Sequence, residues 1–198
     1  MIVLASASPR RQELLRNAGI PFEAQPTNIP EVPQPGEAPH AFAERMAREK
    51  ALAVFRLRPN DFVLGADTIV VVDGEILGKP RDGADAVRML RLLSYRTHQV
   101  VTGVCLAGPR LRTEERKTEV GFKDVRSETT LVTIEALSHD DIHAYIATGE
   151  PMDKAGAYAI QGRASRWVSR IEGDYFNVVG LPVSLVYKML REHGVFET

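Results

Sequence analysis

The chain has 198 residues, of which 44% are hydrophobic and 26% charged, and its formal net charge is −1 at pH 7. This composition is ordinary for a soluble protein, the near-neutral charge provides no basic surface for nucleic acid, and the single cysteine excludes a disulfide framework and a thiolate zinc site. No apolar run approaches the roughly 20 residues of a membrane span, and residues 1–7 lack the basic start of a signal peptide, so we expect a cytoplasmic protein without membrane contact.

A strand over residues 2–5 leads into a helix that carries two adjacent arginines. Ser8 suits the N-cap of that helix and Pro9 its first turn. Arg10 and Arg11 then lie where the helix dipole disfavours positive charge. A bound anion would remove this conflict, because a helix N-terminus offers free N–H groups and arginine binds phosphate in a forked geometry. We therefore predict an anion site at this turn; the alternative is a pair of solvated arginines.

Two charged residues of the next elements give no site prediction on their own. Residues 21–39 contain six prolines and predict a rigid loop around the isolated acid Glu31, for which a solvated loop residue is the simpler interpretation. Residues 38–57 predict a helix with an apolar stripe. Lys50 is assigned to another face of that helix, where a lysine is usually solvated.

A β-hairpin is predicted over residues 62–77, and an acid interrupts its first strand. Two stretches rich in β-branched residues precede the dipeptide Asp73-Gly74, which favours a tight turn. Asp67 lies inside the apolar first strand, and Lys79 follows the second. A carboxylate left unpaired in a core is costly. Asp67 therefore meets a cation, a metal or a set of donors, or it lines a cleft; the alternative is a bond to local backbone at a strand bend.

The remainder of the chain alternates helices and strands. Helices are predicted over residues 85–93, over 139–148 and after 182, and residues 138–141 form a capping-box variant that opens the second of them. Strands are predicted over 99–107, 129–137 and 167–171, and a turn over 173–177. Residues 110–126 are heavily charged and predict an exposed excursion. The glycine-rich residues 150–162 allow a backbone to approach a ligand closely, and Gln161 among them can both donate and accept a hydrogen bond. The alternation predicts a mixed α/β sheet with flanking helices.

These residues together indicate a phosphate-bearing ligand. Several cations combined with one or two acids suit a phosphorylated small molecule and a divalent metal, since metals neutralise phosphate charge and are held by few carboxylates. The chain contains no Walker A, GxGxxG, kinase or nucleophile-elbow pattern and no HExxH zinc helix. From the residues alone, the prediction is binding of such a ligand, and its hydrolysis stays an open question.

Six short motifs extend this prediction. They are SASPRR at 6–11, REKA at 48–51, GADT at 65–68, GKP at 78–80, DKAGAYAIQG at 153–162 and VGLP at 179–182. With these motifs the chain resembles the Maf family of nucleoside triphosphate pyrophosphatases over almost its whole length. The resemblance implies a Maf/inosine-triphosphatase-like α/β fold, with a mixed twisted sheet, flanking helices and two lobes around a central cleft. It also implies a single domain over residues 1–198, in which residues 110–127 match no motif and form a peripheral excursion.

The resemblance further implies a reaction and residue roles. The reaction is hydrolysis of the α–β phosphoanhydride of a nucleotide, which yields a nucleoside monophosphate and pyrophosphate. Asp67 is the implied general base, and Asp67 and Glu31 are the implied ligands of a Mg²⁺ or Mn²⁺ cofactor. The implied phosphate-binding residues are a serine and four cations: Ser8, Arg10, Arg11, Lys50 and Lys79.

The stretch at residues 153–162 resembles the subgroup that acts on dTTP and UTP. In this subgroup Arg10, Thr68 and Gln161 occupy positions tied to substrate choice. A glutamine amide can pair with the O4 and N3–H groups of uracil or thymine, because it accepts and donates at once. We therefore expect a homodimeric enzyme for pyrimidine nucleoside triphosphates that binds neither nucleic acid nor membrane.

Several alternatives stay open at this stage. An aspartate is a weak base at its ordinary pKa of about 3.9, so either a metal acidifies the attacking water or burial raises the pKa of Asp67. The rival functions are a non-catalytic nucleotide-binding regulator of cell division and a pyrophosphatase for a modified purine nucleotide such as 7-methyl-GTP. A nucleic-acid binder that uses residues 110–123 is disfavoured, because the cations of that segment are offset by glutamates.

Overall fold

The computed structural model describes residues 1–109 and 120–196, and within them the chain forms seven β-strands and six α-helices. In chain order these are β1 (Ile2–Leu4), α1 (Pro9–Asn17), β2 (Glu23–Ala24), α2 (Pro39–Phe55), β3 (Phe62–Val72), β4 (Glu75–Leu77), α3 (Gly83–Leu93), β5 (Arg96–Pro109), β6 (Val120–Ile134), α4 (His139–Ile146), β7 (Val168–Glu172), α5 (Tyr175–Val179) and α6 (Val183–Glu192). Three 3₁₀ turns, Glu150–Asp153, Ala155–Ala157 and Arg163–Trp167, connect α4 to β7.

The strands form one mixed sheet. Its order is β2-β1-β3-β5-β6-β7, and β4 pairs with β3 outside this path. Strand β1 is parallel to β2 and to β3, whereas the β3–β4 and β6–β7 pairs are antiparallel. The predicted mixed α/β sheet with flanking helices is therefore confirmed.

The chain divides into two compact units. The first unit comprises Met1–Asp67, Thr102–Glu128 and Gly180–Thr198, and the second comprises Thr68–Val101 and Thr129–Val179. One hydrophobic cluster in the core of the first unit consists of buried side chains of β1 and the residue after it, and of α2, β3 and β5: Val3, Ala5, Ala47, Ala51, Val54, Phe55, Val63, Cys105 and Ala107. In the second unit, α3 contacts α4 and the 3₁₀ turn Ala155–Ala157.

Local turn and cap predictions are largely confirmed. Asp73 and Gly74 have φ values of 51° and 80°, so both central residues of the β3–β4 turn adopt the left-handed conformation that a tight hairpin requires. Ser138 and Asp141 form a reciprocal capping box at the start of α4. Ser8 stands at the N-cap of α1, but its side chain makes no capping hydrogen bond; its own N–H donates to Ser6 Oγ at 3.2 Å.

Several boundaries differ from the predicted ones. Strand β3 runs without a break through Asp67, and β6 begins at Val120. Residues 120–127 of the predicted excursion therefore belong to a strand, whereas residues 110–119 lie outside the described residues. The predicted turn over 173–177 contains the first residues of the short helix α5. Long ladder pairing in β6 overrides the high charge that had indicated an excursion.

A glycine of β3 lets helix α2 lie directly on the strand. A Cβ placed on Gly65 would stand 2.2 Å from the carbonyl oxygen of Ala47 and 2.7 Å from the backbone nitrogen of Ala51. Both distances are far below van der Waals contact, and the obstacle is backbone, which cannot rotate away. The absence of a side chain at this position brings the next turn of α2 close to the residues that follow on β3.

We expect Gly65→Ala to lower the free energy of unfolding by about 3 kcal/mol, because overpacking must push α2 away from β3. Chemical denaturation at neutral pH measures the change. Gly83→Ala is the matched control, since a Cβ there meets only Ile146 Cγ2, at 3.8 Å; its effect should stay within about 1 kcal/mol. Equal denaturation midpoints for Gly65→Ala and the wild type would contradict the close approach.

Candidate active site

The carboxylate of Asp67 is buried on β3 and is paired with a buried lysine of α2. Asp67 is 5% exposed and Lys50 is 7% exposed, and Lys50 Nζ donates to Asp67 Oδ1 at 2.5 Å. Buried charges are stable only where an opposite charge and hydrogen bonds compensate their desolvation. Asp67 therefore meets a cation, one of the predicted possibilities, whereas the prediction that Lys50 lies on a solvated face was wrong.

The sequence contained a pattern that could have placed Lys50 correctly. The buried residues of α2 recur at intervals of three and four positions, and they are Phe42, Ala43, Met46, Ala47, Lys50, Ala51, Val54 and Phe55. Such spacing defines one face of a helix. A lysine inside an apolar stripe must find a partner or remain neutral, so its position in the stripe was itself an indication of a site.

Glu31 joins the same cluster from the proline-rich loop. Its Oε1 accepts from Lys50 Nζ at 2.5 Å, while its side chain stays 39% exposed. Since Glu31 Oε1 and Asp67 Oδ1 both lie 2.5 Å from one ammonium nitrogen, these two oxygens are separated by at most twice that distance. Glu31 is therefore not an isolated solvated residue; it forms one half of a carboxylate pair that Lys50 bridges.

An arginine of α2 fastens the loop that carries Glu31. Arg45 Nε and Nη2 donate to the two carboxylate oxygens of Glu37 at 2.6 and 2.7 Å, and Arg45 Nη2 also donates to the carbonyl of Val32 at 3.0 Å. This pairing lowers the pKa of Glu37 to about 2. Sequence reasoning missed Arg45, because no spacing rule relates a helix residue to a loop residue eight positions earlier.

Arg11 connects the N-terminal turn to the strand that carries Asp67. Its Nη1 donates to Ser6 Oγ at 3.2 Å and to the carbonyl of Ala66 at 3.0 Å, and its Nε donates to the carbonyl of Gly180 at 2.7 Å. Ala66 is the direct neighbour of Asp67. The structure thus brings the predicted anion-binding turn next to the acid of β3, although the two are separated by more than 50 residues in the chain.

Arg10 and Ser8 complete the N-terminal turn. Both are partly buried. Within residues 1–109 and 120–196, the guanidinium of Arg10 makes no hydrogen bond to protein, unlike that of Arg11. A guanidinium at a helix N-terminus that makes no hydrogen bond to the described residues can bind an anion at little cost in displaced contacts.

Burial sets the proton affinity of the central acid. Desolvation raises the pKa of Asp67; the positive charges of Lys50 and Arg11 oppose this effect, and the negative charge of Glu31 adds to it. Asp67 is consequently a stronger base than a solvated aspartate. Desolvation also lowers the pKa of Arg11, while the neighbouring carboxylates oppose that shift.

The remaining predicted site residues belong to the second unit. Thr68 is partly buried on β3, whereas Lys79 and Gln161 are exposed. The N–H of Gly156 donates to the carbonyl of Gly78 at 3.0 Å, so two of the motifs noted in the sequence are hydrogen-bonded to each other. Gly156 has φ +68°, and a Cβ there would stand 2.9 Å from Val70 Cγ2, which explains why a glycine occupies this position.

The family model for Maf-like proteins matches residues 1–193 of the chain. The chain belongs to the Maf family. Four of the six Maf-like motifs lie wholly or mostly in the first unit, around Arg11, Lys50, Asp67 and Gly180, and the other two contain the hydrogen-bonded Gly78 and Gly156 of the second unit. The resemblance seen in the sequence is therefore confirmed, and the motifs of the first unit supply the contacts of Arg11, Lys50 and Asp67.

Two curated relatives of this Maf chain share a name. A protein of Koribacter versatilis named dTTP/UTP pyrophosphatase is 57% identical over 194 residues, which cover 98% of this chain and 95% of the relative. A protein of the same name from Geobacter metallireducens is 52% identical over 196 residues, with 98% and 96% coverage. Among solved structures, the Staphylococcus aureus Ham1 protein superimposes with a TM-score of 0.53 at 15% identity, over 97% of this chain and 98% of that one. This last similarity concerns the fold alone.

The described part of the Maf chain limits how a metal can be held. Residues 1–109 and 120–196 contain no group of three or more histidine, cysteine, aspartate or glutamate side chains arranged to hold a metal ion. The Glu31–Asp67 pair nevertheless fits Mg²⁺ or Mn²⁺ bound together with a substrate, because Mg²⁺ commonly takes one or two carboxylates and completes its shell with phosphate oxygens and water.

None of the helices in residues 1–109 and 120–196 combines the length and hydropathy that crossing a bilayer requires.

Proposed function

We propose that the chain hydrolyses the α–β phosphoanhydride of dTTP and UTP to the nucleoside monophosphate and pyrophosphate. The observation that carries this proposal is the cluster of buried Asp67 and Lys50 with the partly exposed Glu31, beside Arg11, in a Maf chain whose 57% and 52% identical relatives are named dTTP/UTP pyrophosphatases. A paired, partly desolvated carboxylate next to phosphate-binding cations is the arrangement that activation of water beside a phosphoryl group requires.

Asp67 is the general base of the proposed reaction. It takes a proton from a water molecule as that water attacks the α-phosphorus; the new P–O bond forms while the bond to the bridging oxygen breaks, and pyrophosphate leaves with the electron pair. The raised pKa of Asp67 strengthens it as a proton acceptor. Lys50 holds the carboxylate in one orientation and supplies positive charge beside the developing negative charge.

The phosphate groups are bound by cations and a hydroxyl from several elements. We assign this role to Ser8, Arg10, Arg11, Lys50 and Lys79. Arg10 carries the largest share in the ground state, because its guanidinium has no competing hydrogen bond in the described part of the chain. Arg11 already donates hydrogen bonds to Ser6, Ala66 and Gly180. It therefore contributes a positive charge at a fixed position rather than a new bidentate bond to phosphate.

A divalent cation is the proposed cofactor. Glu31 and Asp67 would hold Mg²⁺ or Mn²⁺ together with oxygens of the substrate, and the bound ion would supply positive charge against the triphosphate. Gln161, Thr68 and Arg10 are assigned to substrate choice. The exposed Gln161 amide suits the O4 and N3–H edge of uracil and thymine.

A turnover screen tests this function. We expect pyrophosphate, and no orthophosphate, from dTTP and UTP in the presence of Mg²⁺ or Mn²⁺, with lower rates for CTP, GTP and 7-methyl-GTP. Separate assays for pyrophosphate and orthophosphate on the same samples measure the outcome. Release of orthophosphate would overturn the assigned bond, and a preference for 7-methyl-GTP would overturn the assigned subgroup.

We further propose that the chain acts as a single cytoplasmic domain in a homodimer. One family model spans residues 1–193, which supports the single domain. The lone cysteine, Cys105, is buried and free, in keeping with a reducing compartment. Light scattering during size-exclusion chromatography tests the dimer, and a monomer at micromolar concentration would contradict it.

The Arg45 contacts lead to a prediction for the Glu31 loop. We expect Arg45→Lys to lower kcat/KM for UTP about tenfold, because an ammonium cannot make the two parallel bonds to Glu37 and also reach Val32, and a misplaced Glu31 weakens the site. Steady-state kinetics at saturating Mg²⁺ measure the effect. Arg56→Lys, an exposed position after the end of the same helix, is the control and should leave kcat/KM unchanged; an equal effect of both variants would contradict the assigned role of Arg45.

A further inference from the structure

A partly buried carboxylate of the second unit, that of Glu150, accepts hydrogen bonds from one side chain and from one backbone N–H. Glu150 Oε1 accepts from the hydroxyl of Tyr145 at 2.8 Å and from the backbone N–H of Arg163 at 3.1 Å. Tyr145 lies outside the motifs that indicated the phosphate site, and Glu150 is the first residue of the glycine-rich stretch 150–162. The contact with Arg163 ties Glu150, which follows α4, to a backbone position thirteen residues further along the chain.

Tyr145 also contacts the chain before Arg163, at Ala159. Its side chain is fully buried, and its hydroxyl oxygen accepts from the N–H of Ala159 at 3.2 Å. Between these two fixed points the chain makes a tight turn, because the N–H of Gly162 donates to the carbonyl of Ala159 at 3.0 Å. The turn from Ala159 to Arg163 is thus held by Tyr145 at its start and by Glu150 at its end.

The fit between Glu150 and the turn requires a glycine. A Cβ placed on Gly162 would stand 2.0 Å from Glu150 Oε1 and 2.5 Å from its Cδ. The carboxylate therefore lies directly against the backbone of Gly162. This close approach shows that the carboxylate packs against one defined position of the turn. A glutamate that only extends into solvent would make no such contact.

Gln161 stands inside this turn and is exposed. In the residues that the structure describes, its side-chain amide makes no hydrogen bond. The position of Gln161 is consequently set by the backbone of the turn and not by contacts of its own amide. We infer that Glu150 and Tyr145 are positioning residues that set the nucleobase preference of the enzyme, by holding the turn from Ala159 to Arg163 that presents Gln161 to the base.

This inference rests on the proposed function and follows from the demands of base recognition. Uracil and cytosine present opposite donor and acceptor patterns. A glutamine amide can contact both groups of one such pattern only if the backbone that carries it is held within reach of the base. A turn that is free to move loses this discrimination, because a displacement of about 1 Å is enough to break a productive geometry. Loss of Glu150 releases the backbone at Arg163 and leaves the Tyr145 hydroxyl without its acceptor.

The test is the selectivity ratio, kcat/KM for UTP divided by kcat/KM for CTP. We expect Glu150→Ala to lower this ratio about tenfold, which corresponds to the loss of one hydrogen bond. Glu150→Gln should retain the ratio to within about threefold, because an amide oxygen can still accept from both donors. In a Gln161→Ala background, Glu150→Ala should lower the ratio no further, since both changes act on the same contact.

The controls distinguish a loss of positioning from a general loss of folded protein. Thermal melting of each variant reports folding, and Tyr145→Phe carries the test if Glu150→Ala does not fold, because it keeps the ring against Trp167 and removes only the hydroxyl. Equal losses for UTP and CTP, an unchanged ratio, or additive effects with Gln161→Ala would each overturn the inference while wild-type turnover of UTP still supports the proposed function. A wild type that hydrolyses no pyrimidine triphosphate would overturn both.

Discussion

Asp67→Asn will reduce pyrophosphate release from UTP about a thousandfold, within the range that a positioned general base contributes. The substitution keeps the shape of the side chain and removes its ability to take a proton from water. It also removes a negative charge from the Lys50–Glu31–Asp67 cluster, but Glu31 still pairs with Lys50, so the protein should fold. Single-turnover kinetics with the wild type and the variant, at saturating Mg²⁺, measure the loss in the chemical step.

The control for this variant is Asp61→Asn. Asp61 pairs with Arg58 near the start of β3 and lies outside the cluster, so its replacement should leave the rate within a factor of about two. A variant at Asp67 that keeps more than a tenth of the wild-type rate would remove Asp67 from the role of general base.

The raised pKa of Asp67 also fixes the direction of the pH dependence. A general base acts only when ionised, so activity is lost as pH falls through the pKa of the folded state. Because burial raises that pKa, the acid limb of the profile of kcat/KM should have its midpoint above the ordinary aspartate value of about 3.9. The limb should vanish from the residual activity of Asp67→Asn.

Lys50→Met will lower kcat/KM for UTP about a hundredfold, because it removes a charge that we propose binds phosphate and the hydrogen bond that orients Asp67. It will also lower the free energy of unfolding at neutral pH by about 3 kcal/mol, since removal of one partner leaves a buried charge uncompensated. Methionine retains most of the volume of the lysine chain, so these losses do not reflect a cavity. Steady-state kinetics and urea denaturation measure the two effects.

The stability deficit of Lys50→Met should shrink on acidification. The ammonium of Lys50 lowers the pKa of Asp67 against the effect of burial, so without it the pKa of Asp67 in the folded state rises further above the unfolded value. A group with a raised folded pKa costs nothing below its unfolded pKa and destabilises the fold as pH rises through the folded one. Urea midpoints at several pH values, with the exposed Lys188→Met as control, test this sign; a deficit that grows towards acid pH would contradict the buried pair.

How far the sequence predicts this site depends on whether a residue's partner is local. The hairpin turn at Asp73 and Gly74 and the capping box at Ser138 follow from short-range rules, and the structure confirms them. The helical turn with Arg10 and Arg11 was likewise visible. Asp67 stood out because an acid in an apolar strand is costly unless it has a partner.

The partners themselves were not predictable from spacing. Glu31 meets Lys50 across 19 residues, and Arg45 of α2 meets Glu37, a loop residue eight positions earlier. Such pairs depend on where the sheet places α2, which no local pattern specifies. Lys50 is the exception. Its spacing from the apolar residues of α2 places it on the buried face, and the prediction of another face was wrong.

The burial of the only thiol has a practical consequence for labelling. Cys105 lies in the core of the first unit, and burial raises its pKa to about 12, so almost none of it is thiolate at neutral pH and alkylating reagents cannot reach it. A single cysteine introduced at Val32, which is 66% exposed and adjoins Glu31, can therefore carry a fluorophore with no background from the native sulfur. Stopped-flow fluorescence with such a conjugate would follow nucleotide arrival in an otherwise unmodified chain.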